Sequence, residues 1–169
     1  MRTEGNPFTG VLYFGLMLTS EGAKLIEYNA RLGDPETQAV LVRLDSDLVE
    51  VFNAVIDGHI ASTTIDWSND SSVCLVAASG GYPGEFERRK LITGLSAAGS
   101  VEGVVVFHAG TQRDEQSNYL TAGGRVLGVT ARANTLADAR ARAYEAMSKI
   151  RFDGMHYRTD IAAVSSSDH

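Results

Sequence analysis

The stretch EYNARLGDPETQ, residues 27–38, concentrates charged and amide side chains in one short part of this 169-residue chain. Two apolar segments lead into it: Val11–Leu18 (VLYFGLML) precedes it, and Lys24–Tyr28 (KLIEY) overlaps its first two residues. Both are rich in the aromatic and aliphatic residues typical of strands. The turn residues Ser20-Glu21-Gly22 lie between them, so we expect a β-hairpin with a loop of moderate length. The second strand then leads directly into the polar stretch.

Glu27 and Asn29 are the candidate metal ligands of this stretch. Side chains alternate along a strand, which places Leu25, Glu27 and Asn29 on one face. Carboxylate and amide oxygens are hard donors that suit Mg²⁺ or Mn²⁺, although two of them supply only part of an octahedral shell. Phosphates and water would supply the remaining ligands, as they do around a nucleotide-bound cation. The alternative is that both side chains belong to an ordinary solvated strand face.

Arg31, Asp34 and Glu36 form a second group of candidate site residues. The Arg31 guanidinium could neutralise a phosphate or bind a carboxylate through two hydrogen bonds. Asp34 is a favourable N-cap, Pro35 suits the first position of a helix, and Glu36 complements the helix dipole. We therefore expect a helix from this point to about Leu44. Capping alone would also explain Asp34, and Arg31 could be an ordinary surface arginine.

A second helix and a connector complete the first part of the chain. The polar run Asp45-Ser46-Asp47 can cap a helix that ends at Gly58. The predicted apolar stripe of this helix contains Leu48, Val51, Phe52 and Val55. Residues 61–71, ASTTIDWSNDS, are polar and are interpreted as a connector.

The chain after the connector changes to short apolar segments separated by glycine-containing turns. The predicted strands are Val73–Ala78, Gly103–His108, Ser117–Thr121 and Arg125–Thr130. An amphipathic helix is predicted over Thr135–Ile150, with Thr135 as its cap. Its inward-facing residues are expected to be Leu136, Ala139, Ala143, Ala146, Met147 and Ile150.

These elements predict an α+β fold. A hairpin-plus-helices domain is expected over residues 1–60, and a small β-rich domain with one long helix over residues 70–162. Residues 163–169 are expected to form a flexible tail. His108 is interpreted as a hydrogen-bonded core or edge histidine, Cys74 as a small buried hydrophobe, and Arg140 as part of a solvated helix surface.

Composition excludes several classes of protein. There are 15 Lys and Arg against 21 Asp and Glu, a net charge of −6, which argues against a nucleic-acid-binding protein. The single Cys74 excludes an intrachain disulfide and a thiol-rich zinc site, and favours a reducing compartment. No apolar run approaches the roughly 20 residues that span a bilayer. The N-terminus has no apolar signal core. We therefore expect a cytoplasmic protein without a membrane partner.

The polar stretch, together with the segments around it, resembles one enzyme family. EYNARLGDPETQ is similar to the stretch that closes the ATP-grasp core of phosphoribosylamine–glycine ligases. Further segments resemble the same family in the same order: VLYFGLML at 11–18, GGYPG at 80–84, VFHAGT at 106–111, TAGGRVLGVTA at 121–131 and YRTDIA at 157–162. The resemblance covers nearly the whole chain and implies the closing part of an ATP-grasp core, followed by a small C-terminal subdomain.

This resemblance implies an ATP-dependent reaction of purine biosynthesis. The family joins glycine to 5-phosphoribosylamine, after glycine has been phosphorylated by ATP to a glycyl phosphate. By the resemblance, Glu27 and Asn29 match the metal ligands, and ATP with Mg²⁺ or Mn²⁺ would be the cofactors. Arg31 matches a catalytic and substrate-binding residue, while Asp34 and Glu36 match substrate-binding residues. Many ATP-grasp proteins place another acidic ligand where this chain has Gly15, but the ligase family shares the small residue.

The chain differs from the family in length. The family's N-terminal domain and nucleotide-covering subdomain have no counterpart in this sequence, so we expect little or no ligase activity from the chain alone. The alternative is a non-catalytic module, or a subunit that completes an ATP-grasp enzyme in trans. In either case the apolar hairpin would lack part of its sheet, and we expect self-association through residues 10–28.

Overall fold

A computed structural model describes residues 1–163, which form a mixed α/β structure with antiparallel sheets and a long C-terminal helix. The first compact unit contains Met1–Thr37 and Leu44–Ser68. The second contains Gln38–Arg43 and the described residues from Asn69 onward. The fold class predicted from the sequence is confirmed. The predicted flexible tail lies outside the described residues from position 164 onward.

The first unit is built on the predicted hairpin. Strand β1 is Tyr13–Thr19 and strand β2 is Gly22–Asn29, paired antiparallel. Only two residues separate the strands, so the predicted loop of moderate length is wrong. Gly22 has φ 103°, a left-handed conformation that glycine adopts without a steric penalty, and this allows the tighter reversal. The Thr19 hydroxyl donates to the Gly22 carbonyl at 2.8 Å and fixes the turn.

A β-bulge interrupts the hairpin close to the polar stretch. Gly15 pairs with Glu27, whereas Leu16 pairs with Leu25, which leaves Ile26 as the additional residue of β2. Directly paired residues point to the same face, and Gly15 and Leu16 point to opposite faces. Leu25 therefore lies on the face opposite Glu27, and the prediction that they share a face is wrong.

Two short helices follow the hairpin. Helix α1 is Glu36–Leu41, shorter than the predicted helix that continued to about Leu44. Helix α2 is Leu48–Ile56, and the Asp47 carboxylate accepts from the Val49 amide at 2.7 Å, as the predicted cap requires. Single turns of 3₁₀ helix are found at Arg2–Glu4 and Ile60–Ser62.

The second unit contains a three-stranded antiparallel sheet and a separate two-stranded ladder. The sheet has the order β3 (Ser71–Ala78), β7 (Arg125–Ala133), β4 (Val104–His108), and the ladder pairs β5 (Thr111–Arg113) with β6 (Tyr119–Thr121). The four predicted strands are confirmed with shifted ends. Strand β5 and helix α3, Leu95–Gly99, were not predicted, because three and five residues are too short to show a periodic pattern.

Helix α4, Leu136–Lys149, covers the sheet. The Thr135 hydroxyl accepts from the Asp138 amide at 3.1 Å, which confirms the predicted cap. The predicted inward positions are fully buried with one exception, since Leu136 at the first helical position is 42% exposed. The buried helix residues are Ala139, Ala143, Ala146 and Met147, followed by Ile150 just after the helix, and they pack with Leu75, Leu127 and Val129 of the sheet. No described helix is long and apolar enough to cross a bilayer.

Arg140 holds the C-terminal segment and is not the solvated residue that the sequence suggested. Its guanidinium donates to the carbonyls of Ile161 and Thr159, both at 3.0 Å, and lies 4.7 Å from the Tyr144 ring. The Tyr144 hydroxyl donates to the Arg158 carbonyl at 3.0 Å. The segment therefore takes its anchors from one face of α4.

His108 lies at the end of the edge strand β4, as the interpretation of an edge histidine allowed. Its Nδ1 is 3.0 Å from the Thr111 hydroxyl, and its ring stacks on Tyr119 with a centroid distance of 4.4 Å. Partial burial and the positive charge of Arg113 lower the pKa of the imidazole. Folding therefore favours the neutral form of this side chain.

A fall in pH is expected to reduce the free energy of unfolding, because protonation of His108 disfavours the folded state. Its pKa is lower in the folded chain than in the unfolded chain, so the stabilisation is complete above the unfolded value of about 6.5 and is lost as the pH falls below it. Urea unfolding at pH values from about 8 to about 5 measures the free energy of unfolding. This free energy should decrease less on acidification for His108→Gln than for the wild type. His156→Gln is the control, and an identical pH dependence of His108→Gln and wild type would contradict the prediction.

Candidate functional site

The register of the hairpin places four residues on one face. Gly15 pairs with Glu27 and Tyr13 pairs with Asn29, so all four share the face that begins the polar stretch. A Cβ atom added to Gly15 would lie 3.3 Å from Cγ of Glu27. The Glu27 side chain therefore lies directly over Gly15, where a larger residue would displace it. Because Gly15 has no side chain, the Glu27 side chain can lie against the β1 backbone at this point.

Tyr13 lies on this face, opposite Asn29. Partial burial raises the pKa of its hydroxyl, and the negative charges of Glu36 and Glu27 raise it further. Tyr13 was not among the site residues predicted from the sequence, and its signal was its position on a strand predicted to pair with β2.

Gly33 allows the Glu36 carboxylate to fold back towards the loop. A Cβ atom on Gly33 would lie only 2.5 Å from Oε2 of Glu36, so any other residue would push that oxygen away. Gly33 is buried, and its carbonyl accepts from the Thr37 amide at 3.3 Å and from the Thr37 hydroxyl. The backbone of the loop is therefore fixed beneath Glu36.

The two other predicted site residues lie in the loop itself. Arg31 is exposed, and its guanidinium donates to the Leu32 carbonyl at 2.7 Å. Asp34 is exposed and is joined to Pro35 by a cis peptide bond. The structure thus places Glu27 and Asn29 together on one strand face and Glu36 beside Gly33 at the end of the loop, while Arg31 and Asp34 lie along that loop.

The donor set on this face fits part of a divalent-cation shell. Among residues 1–163, no three His, Cys, Asp or Glu side chains are grouped so that they could hold a metal ion by themselves. Glu27 and Asn29 offer one carboxylate and one amide oxygen from the same strand face. Mg²⁺ is commonly held by one or two protein oxygens together with substrate phosphates and water, so two donors are compatible with such a site.

Comparisons with known proteins agree with the fold. Residues 1–37 match the family model "Phosphoribosylglycinamide synthetase, ATP-grasp (A) domain", and residues 72–164 match "Phosphoribosylglycinamide synthetase, C domain". The first match covers the hairpin and the site loop, and defines an ATP-grasp protein. The chain belongs to the phosphoribosylglycinamide synthetase family, and the resemblance stated from its sequence is confirmed.

The curated relatives that match this chain are named phosphoribosylamine–glycine ligases. The chain is 47% identical over 163 residues to the phosphoribosylamine–glycine ligase of Rhodopirellula baltica, covering 96% of this chain and 37% of the relative. It is 47% identical over 164 residues to the chloroplastic phosphoribosylamine–glycine ligase of Arabidopsis thaliana, covering 95% of this chain and 31% of the relative. The crystal structure of the Thermotoga maritima phosphoribosylamine–glycine ligase matches with a TM-score of 0.74 and 35% identity. The match covers 94% of this chain and 38% of that one. The chain therefore spans about a third of the length of these relatives.

Proposed function

We propose that this chain forms the metal- and substrate-facing end of an ATP-dependent ligase that joins glycine to 5-phosphoribosylamine through a glycyl phosphate. The observation that carries the proposal is the shared strand face of Glu27 and Asn29 at the end of β2, where the loop that leads to Glu36 begins. Family membership and relatives named as this ligase support it. The proposed cofactors are ATP and Mg²⁺ or Mn²⁺, and the proposed substrates of the complete enzyme are glycine and 5-phosphoribosylamine.

In this proposal Glu27 and Asn29 hold the divalent cation. When bound, the cation neutralises charge between the triphosphate and the glycine carboxylate, which would otherwise repel each other. The Glu27 carboxylate contributes charge as well as an oxygen ligand, whereas the Asn29 amide contributes only an oxygen. Gly15 keeps the space above β1 free for the Glu27 side chain.

Arg31, Asp34 and Glu36 are proposed to face the substrates. The Arg31 guanidinium, which donates to the Leu32 carbonyl of its own loop, would turn to bind the glycine carboxylate or a phosphate. Such binding would orient the carboxylate for in-line transfer, which is the catalytic role proposed for this residue. The carboxylates of Asp34 and Glu36 would accept hydrogen bonds from an ammonium group or from ribose hydroxyls.

A fusion protein tests the proposed function. The part of the Thermotoga maritima ligase that precedes its match to this chain is joined to residues 1–169, and ADP release is measured. We expect release that depends on both glycine and 5-phosphoribosylamine, and little or none from the chain alone. A folded fusion without this activity would count against the ligase, and robust turnover by the isolated chain would contradict its incompleteness.

The second candidate is a subunit or non-catalytic module that completes an ATP-grasp enzyme in trans. The exposed apolar side chains of the hairpin favour it, since they offer a surface for another polypeptide. Mixing the same two parts without a covalent link distinguishes the candidates. Restored ADP release supports completion in trans, whereas failure of the parts to associate in light scattering counts against it.

Self-association through the hairpin is expected for the chain alone. Leu18 is 82% exposed and Ile26 is 63% exposed, although both lie in strands of a two-stranded sheet. Leu18→Glu would place a charge in the self-associated interface and should weaken self-association at least about tenfold. Sedimentation at micromolar concentration measures the effect. Val49→Glu is the control, because Val49 is 64% exposed on helix α2. A wild-type chain that sediments as a monomer would contradict the prediction.

We also propose a cytoplasmic location, without nucleic-acid or membrane partners. A net charge of −6 supports the absence of a nucleic-acid partner. The relative from Arabidopsis thaliana is described as chloroplastic, so location differs among members of the family. A fluorescent fusion of the complete protein would test the location directly.

A further inference from the structure

A cavity in the second unit has no role in the function proposed above. It has a volume of about 330 Å³ and opens to solvent beside the end of strand β3. Three of the segments that resemble the ligase family meet here: GGYPG, TAGGRVLGVTA and YRTDIA supply Tyr82, Arg125 and Arg158 respectively. None of the described residues that line the cavity is acidic. Residues distant in the sequence therefore form one concave surface that contains two guanidinium groups.

The pairing at the end of strand β3 places nitrogen-bearing side chains on both sides of Ala78. Ala78 is paired with Arg125 of strand β7. On its other side, the Ala78 amide donates to the His156 carbonyl at 2.9 Å, and the His156 amide donates to the Ala78 carbonyl at 3.1 Å. Residues paired directly across strands point to the same face, and all three line the cavity. Because the alanine side chain is small, it leaves space between the guanidinium and the imidazole.

The turn before Arg125 is fixed by contacts with the residues that follow strand β3. The Ser79 hydroxyl donates to the Gly123 carbonyl at 2.8 Å, and the Ser79 amide donates to the Gly124 carbonyl at 2.8 Å. The Tyr82 ring lies against Gly124, where a Cβ atom would overlap Cδ2 of the ring. The turn and the ring therefore hold each other, and the ring contributes to the lining of the cavity.

Arg158 is oriented by a carboxylate and keeps donors for a ligand. Its Nε and Nη2 donate to the two oxygens of Asp160 at 2.9 Å and 2.6 Å. This pair uses two of the five N–H donors of the guanidinium, so its other edge can bind an anion. Arg125 also has five donors, and it can bind an anion while it keeps other partners. The Arg158 backbone is fixed as well, because its carbonyl accepts from the Tyr144 hydroxyl at 3.0 Å.

We propose that this cavity binds the phosphate group of a small phosphorylated sugar, with Arg125 and Arg158 as the principal ligands. Guanidinium groups bind phosphate through pairs of hydrogen bonds, and a phosphate dianion has enough charge and oxygen atoms to engage two of them. The His156 imidazole and the Tyr82 hydroxyl can donate further hydrogen bonds. The volume of about 330 Å³ lies at the lower end of the range for small-molecule sites, about 300–1,000 Å³.

The apolar part of the cavity indicates the rest of the ligand. Val76, Ala78 and Pro83 contribute aliphatic lining. This surface would pack against the C–H groups of a sugar, whereas inorganic phosphate would leave it in water. Two ligands have this chemistry, the 5-phosphoribosylamine of the proposed function and a separate phosphorylated sugar. The first of them rests on the proposed function and deepens it.

Titration of the ¹⁵N-labelled chain with ribose 5-phosphate, followed by NMR, tests the proposal. We expect a Kd of about 1 mM or lower, with shifts of the Gly124 amide and of the Nε–H signals of Arg125 and Arg158. Ribose should not bind, and inorganic phosphate should bind about tenfold more weakly because it covers none of the apolar lining. Absence of binding at about 10 mM ribose 5-phosphate, or equal affinity for inorganic phosphate, overturns the proposal.

Arginine variants assign the binding to this cavity. Arg125→Gln should weaken ribose 5-phosphate binding about tenfold or more, since it removes charge-assisted hydrogen bonds. Arg158→Gln should weaken it about 3- to 10-fold. The Arg158 side chain is 73% exposed, so this second variant keeps the test valid if Arg125→Gln does not fold.

Arg113→Gln is the matched control for both variants. It removes the same charge from strand β5, outside the cavity, and should leave the affinity for ribose 5-phosphate unchanged within about twofold. Equal losses in all three variants would show that the anion responds only to net charge, and would overturn the proposal. Unchanged affinity in Arg125→Gln and Arg158→Gln would overturn it too.

Kinetics of the fusion protein distinguish the two ligands. A raised KM for 5-phosphoribosylamine in Arg158→Gln, with the KM of ATP unchanged, supports the substrate of the proposed reaction as the ligand. An unchanged KM for 5-phosphoribosylamine, in a variant that has lost affinity for ribose 5-phosphate, supports a separate phosphorylated sugar. An inactive fusion counts against the proposed function alone, because binding by the isolated chain decides the role of the cavity.

Discussion

Glu27→Gln is expected to weaken Mn²⁺ binding by the chain about 10- to 100-fold. The substitution keeps one oxygen donor and the shape of the side chain but removes the negative charge, which supplies much of the attraction to a divalent cation. Asn29→Ala removes a neutral donor and should have a smaller effect. Titration of free Mn²⁺ by electron paramagnetic resonance measures both affinities without requiring ligase activity.

Glu21→Gln is the matched control for this prediction. Glu21 lies in the turn of the same hairpin, pairs with Lys24 at 3.2 Å, and carries the same charge as Glu27. Its substitution should leave Mn²⁺ affinity unchanged within about twofold, because the turn is at the opposite end of the strands. Equal losses in Glu21→Gln and Glu27→Gln would show that Mn²⁺ responds only to net charge, and would remove the argument for a site.

Gly94→Ala is expected to destabilise the second unit by about 3 kcal/mol or more. Gly94 has φ +81°, and a Cβ atom there would lie 1.9 Å from the Lys149 carbonyl oxygen at the end of α4. The variant must therefore accept left-handed strain and also separate two backbone segments. Hydrogen exchange of the buried amides of strand β7 measures the loss, because these amides open with the core.

Gly99→Ala distinguishes this clash from a general effect of replacing glycine. Gly99 is the last residue of helix α3, and a Cβ atom there meets nothing within 4 Å. Its replacement should change stability by about 1 kcal/mol at most, and the change should be favourable because alanine is the better helix former. If the β7 amides exchange at the wild-type rate in both variants, the prediction that a side chain at position 94 lowers the stability of the second unit is wrong.

Much of the fold could be predicted because local patterns agree with the tertiary structure. Thr135 was recognised as a helix cap, and the run Asp45-Ser46-Asp47 as one that contains a cap, since a capping bond joins residues two or three apart and needs no distant partner. The alanines of α4 were placed inside by their helical spacing. Leu136 was predicted to face inward but is exposed, because helical spacing identifies one face of a helix and not the point along it at which the sheet ends.

The candidate site was predicted only in part for a similar reason. Glu27, Asn29 and Glu36 are close in sequence, and their chemistry could be recognised in the stretch that contains them. Tyr13 lies on the other strand, and its position opposite Asn29 depends on the pairing register. The bulge at Ile26 sets that register, and nothing in the alternation of the apolar residues indicates it. The roles of the site residues remain predictions.

The sequence by itself determined the family, the fold class, the hairpin and the helix caps, because each depends on residue types at short, fixed spacings. Only the tertiary structure decided that Glu27 faces away from Leu25, that Arg140 anchors the C-terminal segment, and that Tyr13 lies opposite Asn29. These three features depend on strand register and on contacts between distant segments. Register and packing are set by the whole chain at once, and local propensity does not record them.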